Sequence, residues 1–265
     1  MSKYCNRAGD LMIKETRINK IEEYIKENKS VSLDELMEVF SVSKNTIRRD
    51  VQELVERGDF KKVYGGVAVN DDRSAKLESF QDRQVRNKKE KELIAKVAAQ
   101  FIDDGDIIFV DSGTTTIELI EFIKNKSVTI LTNSLNFIVH AIPYENLNVI
   151  STGGILERKT NSFGSIKYID LLNAYNIKKA FMASTGISLT NGVTNASPFE
   201  SELKTAVVNR SLETYLLIDH DKFDKYGLMT YCTLDKINFL ITDAKPEQIY
   251  LDYLRNHNIK LIIPD

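Results

Sequence analysis

Sulfur and imidazole are scarce in this chain. Among its 265 residues, Cys5 and Cys232 are the only cysteines and His140, His220 and His257 the only histidines. Two cysteines near opposite ends, without C-x-x-C spacing, argue against a disulfide framework and against a zinc site, and the scattered histidines offer no metal-binding cluster. No metal and no cofactor are therefore expected. No apolar run approaches the roughly 18 residues that a transmembrane helix needs, and the first ten residues lack the apolar core of a signal peptide. The expectation is a soluble cytoplasmic chain with no membrane partner. Charge of one sign is also missing: 36 Lys and Arg stand against 38 Asp and Glu, so any affinity for nucleic acid has to come from local placement. The length suffices for two domains with separate cores.

Over 17–28, Ile18, Ile21, Tyr24 and Ile25 recur at helical spacing and predict an amphipathic helix. Ser32 and Glu35 have the spacing of a capping box and open a shorter second helix through Leu36, Val39 and Phe40. After a brief turn at Ser41 and Val42, Ser43 caps a third helix running to Arg57, with Gly58 as its stop. Its buried face is Ile47, Val51, Leu54 and Val55, and its opposite face carries Lys44, Asn45, Arg48, Arg49 and Gln52. A short helix, a tight turn and a helix exposing amide and guanidinium groups make up a helix-turn-helix DNA reader. Arg pairs with guanine edges or phosphates, Asn with adenine, and Ser or Thr with phosphate oxygens. Two strands, 60–64 and 67–69, flank Gly65 and Gly66 and form a wing whose Lys61 and Lys62 face the DNA backbone. Residues 1–70 hold 13 Lys or Arg against 12 Asp or Glu, but 44–49 contain no acid, so the positive charge is concentrated on the third helix.

A polar, charged stretch over 70–76 reads as a linker. Lys88, Lys89, Glu90, Lys91 and Glu92 then open a helix, and their mixed signs predict a solvated helix start. Beyond it, short apolar runs at 107–110, 128–132, 147–151, 179–183, 215–219, 239–243 and 259–263 alternate with helical segments at 135–141, 198–210 and 246–256. This alternation predicts a mainly parallel sheet covered on both faces, with ligands at the carboxyl ends of its strands. Polar or Gly residues stand at those ends: Asp111 to Thr116, then Thr132, Asn133 and Ser134, then Gly153 and Gly154, then Ser184 and Gly186, then Asp219 and Lys222. The first of these corners has the size and chemistry of a phosphate turn. Gly113 allows close backbone approach, Ser112, Thr114, Thr115 and Thr116 supply hydroxyls, and a helical pattern follows. Glu200 and Lys204, four apart on one helix, have the spacing of a surface ion pair.

The run from Val42 to Val51, with Gly58 and the wing Tyr64, Gly65, Gly66, Val67, resembles the amino-terminal signature of the DeoR family of bacterial sugar-metabolism regulators. That family usually has His at the position of Tyr64 and Ala at that of Val67. Glu78, Phe80 and Arg83 resemble a short family motif that precedes the second domain. The order of elements across 78–243 is similar to the family's effector domain, which is similar in fold to ribose-5-phosphate isomerase. The resemblance implies a winged helix-turn-helix domain at 14–70, a linker at 71–85 and an α/β effector domain at 86–265. It implies DNA contacts from Ser43, Lys44, Asn45, Thr46, Arg48, Arg49, Lys61 and Lys62. It implies effector contacts from Asp111, Ser112, Gly113, Thr114, Thr115 and Thr116, from Thr132, Asn133, Ser134, Gly153 and Gly154, and from Glu200, Lys204, Asp219 and Lys222. Lys204 or Lys222 would be the countercharge. Asp221 stands where the family usually has Ser, which adds a negative charge beside an anion site. The implied function is repression of a sugar-metabolism operon by a homo-oligomer, a dimer or tetramer, that binds operator double-stranded DNA and responds to a phosphorylated sugar. The alternative is an isomerase-like enzyme acting on sugar phosphates, with an appended DNA-binding module and with Glu200, Asp111 or Asp219 as base.

Overall fold

The computed structural model describes residues 14–28, 30–56, 60–63, 65–69, 77–164, 172 and 174–264. The chain divides into two compact units, residues 1–73 and 74–265.

In the first unit, helix α1 (Lys14–Asn28) and strand β1 (Ser30–Ser32) precede helices α2 (Leu33–Phe40) and α3 (Lys44–Glu56) and the hairpin of β2 (Phe60–Val63) and β3 (Gly66–Val69). Ile18, Ile21 and Ile25 of α1 pack on Leu36, Phe40, Ile47, Val51 and Leu54, the faces that the spacing marked as buried. Ser32 caps α2, accepting from the Glu35 amide at 3.0 Å, while the Glu35 carboxylate accepts from the Tyr24 hydroxyl at 2.9 Å rather than completing a reciprocal box. Ser41 ends α2 in the left-handed region, and Ser43 Oγ accepts from the Thr46 amide at the start of α3. The expected stop at Arg57 and Gly58, and Tyr64 of the wing, lie outside the described residues, as do Cys5 and the 70–76 linker. Strand β1 was not expected. It pairs antiparallel with β3 and makes the wing a three-stranded sheet of order β1-β3-β2. Gly66 is required there, because a Cβ would stand 2.3 Å from the Val31 carbonyl oxygen.

The second unit opens with α4 (Phe80–Val85) and α5 (Lys88–Ala98) and is built on seven strands. These are β4 (Ile107–Val110), β5 (Val128–Thr132), β6 (Leu147–Ser151), β9 (Lys179–Met182), β12 (Glu213–Leu217), β14 (Phe239–Ile241) and β15 (Lys260–Ile262). All pairings in this sheet are parallel, in the order β15-β14-β12-β9-β4-β5-β6. Side chains alternate between faces. Ile108, Val110, Ile130, Phe181 and Tyr215 pack against α5, α6 (Leu119–Ile123) and α7 (Leu135–Ala141). Phe109, Leu131, Met182 and Leu216 pack against α8 (Pro198–Arg210) and α9 (Gln248–Asn256). The expected parallel sheet with helices on both faces is thus present.

Two additions had not been anticipated. One is the hairpin β7 (Ile155–Glu157) and β8 (Ser162–Gly164), and the other is an antiparallel sheet of β10 (Gly186–Ser188), β11 (Gly192–Asn195) and β13 (Met229–Cys232). Residues 80–85, within the stretch expected as linker, form a helix whose Phe80 is buried in the core of this unit. No helix among the described residues is long and apolar enough to cross a bilayer, and these residues contain no cluster of metal ligands. Cys232 is a free thiol, pushed up to about 12 by burial.

Strands β4, β5 and β6 run outward in one direction, and the chain then returns to place β9 on the other side of β4. The carboxyl ends of β4 and β9 therefore flank a topological switch point, where open parallel sheets bind ligands.

Two stability predictions follow from this packing. In the first unit Arg17 holds the buried Asp50 carboxylate through Nε at 2.6 Å and Nη2 at 3.1 Å. Asp50→Ala removes one partner of a mostly buried pair, and denaturant unfolding is expected to show a loss of about 3 kcal/mol. In the second unit His220 Nδ1 lies 2.6 Å from Asp243 Oδ2. Burial pulls this imidazole down, but its hydrogen bond to Asp243 and the charges of Asp243, Asp221 and Asp219 outweigh that and hold it above its ordinary value. The protonated form is favoured by folding, so its contribution is complete below the unfolded value of about 6.5 and fades as pH rises through the folded value. In melts across pH, the wild-type advantage over His220→Gln should be largest on the acid side and shrink toward alkaline pH.

Candidate functional site

Helix α3 sorts its residues by side. Ile47, Asp50, Val51 and Leu54 are buried, whereas Ser43, Lys44, Asn45, Arg48 and Arg49 are exposed and Thr46 is half-buried. Thr46 and Ser43 share a hydroxyl hydrogen bond of 2.9 Å. Lys44 reaches Asp34 at 2.7 Å, an exposed pair that solvent screens and a stronger anion can displace. Arg48 and Arg49 have no partner among the described residues. Lys61 is exposed on β2, and Lys62 donates to Gln52 of α3, tying the wing to the helix. A groove of about 700 Å³ between α3 and the wing is lined by Arg48, Arg49, Gln52 and Lys62, with Glu53 and Glu56 also on its wall. The first turns of α3 and the wing thus present amide, hydroxyl and cationic groups on one side, as the helix-turn-helix pattern predicts.

In the second unit the switch point is occupied by Asp111. Its Oδ1 accepts from the Ser112 amide at 2.9 Å, and its Oδ2 accepts from the Ala183 amide at 2.9 Å and from Lys204 Nζ at 2.5 Å. Lys204, on α8, also donates to the Ala183 carbonyl at 3.0 Å, and that carbonyl accepts from the Tyr231 hydroxyl at 3.0 Å. Burial pushes the Asp111 carboxyl up, while the Lys204 charge pulls it back. A protonated carboxyl would have a hydrogen with no acceptor here, so the three donors favour the ionised form. Lys204 is therefore paired with Asp111 in the core rather than with Glu200 on a surface.

Glu200, also buried, accepts from Ser112 Oγ at 3.2 Å, Ser162 Oγ at 2.5 Å and Asn195 Nδ2 at 2.8 Å. Burial raises its carboxyl, but the Lys204 charge and the hydrogen bonds from Ser162, Asn195 and Thr160 prevail and leave it below the ordinary range. Ser162 and Asn195, from the two unanticipated β additions, were missed as site residues. For Asn195 a signal existed: Asn191-Gly192 between apolar residues marks a hairpin, and Gly192 adopts φ 70°. Nothing in the sequence joins Ser162 to Glu200.

The turn after β4 is braced from within. Thr116 Oγ1 donates to the Asp111 carbonyl at 2.6 Å and accepts from the Gly113 amide at 2.9 Å. Gly113 was expected to admit a ligand, but its open side is filled: a Cβ would lie 2.4 Å from the Ala183 Cβ. The turn continues into a 3-10 segment, Thr116–Glu118, and the short α6 rather than a long helix. The amides of Thr114, Thr115 and Thr116 meet no acceptor among the described residues, although all three residues are buried.

At the neighbouring corners, Thr132 Oγ1 accepts from the Ser134 amide and Ser134 caps α7, while Asn133 donates to Ser112 Oγ at 3.2 Å. Gly153 and Gly154, at φ 63° and 113°, turn the chain out of the edge strand β6, and Gly154 is exposed. Asp219 Oδ1 accepts from the Asp221 amide, and Lys222 Nζ has no acceptor among the described residues. Asp221, the departure from the family pattern, accepts from Asn87 Nδ2 at 2.8 Å.

The buried polar atoms without a partner include Asn133 Oδ1, Thr152 Oγ1, Ser184 Oγ and Arg83 Nε. The first three follow β5, β6 and β9, so uncommitted groups converge on the same end of the sheet. Lys91 was expected in solvent, yet it is buried and donates to the carbonyls of Arg83 at 2.5 Å and Arg86 at 2.6 Å. Burial lowers its ammonium to about 8 against the pull of Asp219.

Two family descriptions match the chain: the DeoR-like helix-turn-helix domain over 17–73 and the DeoR C terminal sensor domain over 86–244. The HTH-type transcriptional regulator IolR of Bacillus subtilis is 44% identical over 92% of this chain and 96% of its own length. The lactose phosphotransferase system repressor of Staphylococcus epidermidis is 34% identical over 88% and 93%, and the glycerol-3-phosphate regulon repressor of Escherichia coli 30% over 92% and 97%. Among solved structures, ribose 5-phosphate isomerase A from Methanocaldococcus jannaschii is similar at 19% identity over 52% of this chain and 55% of its own, with a TM-score of 0.39. With a reading helix and wing in the first unit, a polar switch point in the second and both family domains in order, the chain belongs to the DeoR family of transcriptional regulators.

Proposed function

We propose that this protein represses a sugar-metabolism operon, binding operator DNA as a homo-oligomer through α3 and the wing, and that a phosphorylated sugar in the second unit changes its operator affinity. The observation that carries the sensing half is the division of labour at the switch point. Asp111, Lys204, Glu200, Ser112 and Ser162 satisfy one another, while the amides of Thr114, Thr115 and Thr116, Asn133 Oδ1, Ser184 Oγ and Lys222 Nζ face no protein partner among the described residues. Buried polar groups left unpaired are costly, so a set of them at a strand end marks the place of a polar ligand. Amides and a lysine suit a phosphate, and amide oxygens and hydroxyls suit sugar hydroxyls.

The same division favours sensing over turnover. A sugar-phosphate isomerase needs a carboxylate free to take a proton. Glu200 instead accepts from three side chains, and Asp111 is fixed by Lys204 and two amides, so of the three candidate bases only Asp219, which accepts from the Asp221 amide, keeps an oxygen for such a role. The ligand acts through different affinities for the DNA-competent and DNA-incompetent arrangements, since no other route shifts such an equilibrium. Names of relatives support the biology: repressors of a lactose phosphotransferase system and of a glycerol-3-phosphate regulon are among them.

Two experiments test the two halves. On duplexes selected from random DNA, Arg48→Ala or Arg49→Ala should lower affinity by about 1–3 kcal/mol where the arginine reads a base, or reduce the salt slope by about one where it meets a phosphate. Unchanged binding in both variants would remove α3 from the interface. In a thermal-shift screen of phosphorylated sugars with their parent sugars as controls, one sugar phosphate should stabilise the wild type and release or strengthen its hold on DNA. Thr114→Asp places a like charge among the free amides, and it should still bind operator while losing that response. A fully responsive Thr114→Asp protein would put the anion elsewhere.

A further inference from the structure

We propose that Arg83 is a ligand-contacting residue of the sensing site, pairing jointly with Lys222 with the effector's phosphate, and that α4 is the element through which occupancy acts. The inference rests on the sensing function proposed above and adds to it a residue and an element.

Arg83 Nε is buried and has no hydrogen-bond partner among the described residues. Its guanidinium lies 5.8 Å from the centre of the Phe80 ring, a contact that supports the side chain but does not satisfy its donors. A guanidinium cannot escape the cost of burial by losing its proton at accessible pH, so an anion has to be supplied. The acids whose charges reach it are Glu200, Glu78 and Asp111. Two of these are spent: Glu200 accepts from Ser112, Ser162 and Asn195, and Asp111 from Lys204, Ser112 and Ala183. Glu78 bonds Arg86 on the exposed side. Lys222 feels the negative charge of Asp219 and, against it, the positive charge of Arg83, and its Nζ has no hydrogen-bond acceptor among the described residues. Two neighbouring cations with open donors suit a doubly charged phosphate, and Arg offers the planar fork that matches its oxygens.

Four hydrogen bonds hold α4 and the residues just after it in this position. The Phe80 amide donates to the Lys159 carbonyl at 2.8 Å, on the hairpin whose Thr160 and Ser162 surround Glu200. Lys91 Nζ clamps the carbonyls of Arg83 and Arg86. Asn87, itself in the left-handed region at φ 51°, donates to Asp221 on the loop that carries Asp219 and Lys222. Helix α4 thus runs from one wall of the site to the other. It is also the first helix of the second unit, so a ligand that fixes Arg83 fixes the start of that unit. Asp221, where the family usually has Ser, accepts from the Asn87 side-chain amide and so ties α4 to the loop of Lys222.

The test uses the full-length protein titrated with inorganic phosphate, read by thermal shift and by hydrogen exchange of amides 80–87. Phosphate should stabilise the wild type and slow exchange over 80–87. Arg83→Met should weaken phosphate binding by about tenfold or more, with no added protection of 80–87. Arg83→Lys, which keeps the charge, should recover part of the affinity and serves also if Arg83→Met does not melt cooperatively. Thr114→Asp is the control for the site. Loss of the response in Thr114→Asp with an unchanged response in both Arg83 variants overturns the role of Arg83 and leaves the sensing site standing. A wild type indifferent to phosphate and to every sugar phosphate overturns both.

Discussion

The bond between Lys204 and Asp111 is the constraint on which the second unit is arranged. Both groups are buried, and burying an ion pair costs several kcal/mol per charge unless geometry and further hydrogen bonds return it. Here they do. The Asp111 carboxylate takes two backbone amides besides the ammonium, and the ammonium takes the Ala183 carbonyl besides the carboxylate. The pair joins the ends of β4 and β9, the two strands between which the sheet reverses its order, to a helix on one face. Lys204 bonds both the Asp111 carboxylate and the Ala183 carbonyl, so the two strand ends at the switch point are tied to one side chain. Replacing one partner alone would leave an uncompensated charge inside the protein, so the pair acts as a specification of geometry more than as a source of net stability.

From that tie the rest of the site follows. Because Asp111 is fixed, the turn after it is fixed, and Thr116 braces it by bonding back to the Asp111 carbonyl. Because α8 is held by Lys204, Glu200 one turn earlier is set among Ser112, Ser162 and Asn195. The residues with most chemical promise on paper are thereby occupied with one another. What stays uncommitted at that end of the sheet is the remainder: backbone amides, an asparagine oxygen, hydroxyls and two cations. Such a crevice is held in shape by its own buried charges, so the groups left over are presented by a preorganised scaffold.

The DNA-reading unit solves a different problem with little charge to spare. It carries nearly balanced acids and bases, so long-range attraction to DNA is weak and placement decides. The acids nearest α3 are turned inward or paired: Asp50 is buried against Arg17, Glu35 accepts from Tyr24, and Asp34 holds Lys44. Arg48 and Arg49 are left exposed on the same helix. Such an interface favours a specific duplex over bulk DNA, since the sequence-independent share of binding scales with the number of phosphates neutralised.

The sequence by itself determined what depends on neighbours along the chain. Period and caps placed α1, α2 and α3 and their buried faces, and the alternation of apolar runs with helical segments placed the parallel sheet and put polar corners at its strand ends. These are local signals, carried by side-chain spacing and turn chemistry. The tertiary structure alone decided which of the polar residues answer one another. Glu200 and Lys204 have the spacing of a surface pair, yet each turns to a different partner far away in the chain, Ser162 and Asp111. Lys91 sits in a charge run that reads as solvated, yet it is buried on the carbonyls of α4. A Cβ on Gly113 would meet Ala183, and Arg83, from a stretch that reads as linker, has its Nε buried without a partner among the described residues. For Glu200, Lys204 and Gly113 the deciding neighbour comes from another strand or strand end, and a one-dimensional pattern holds no record of which ends the sheet brings together.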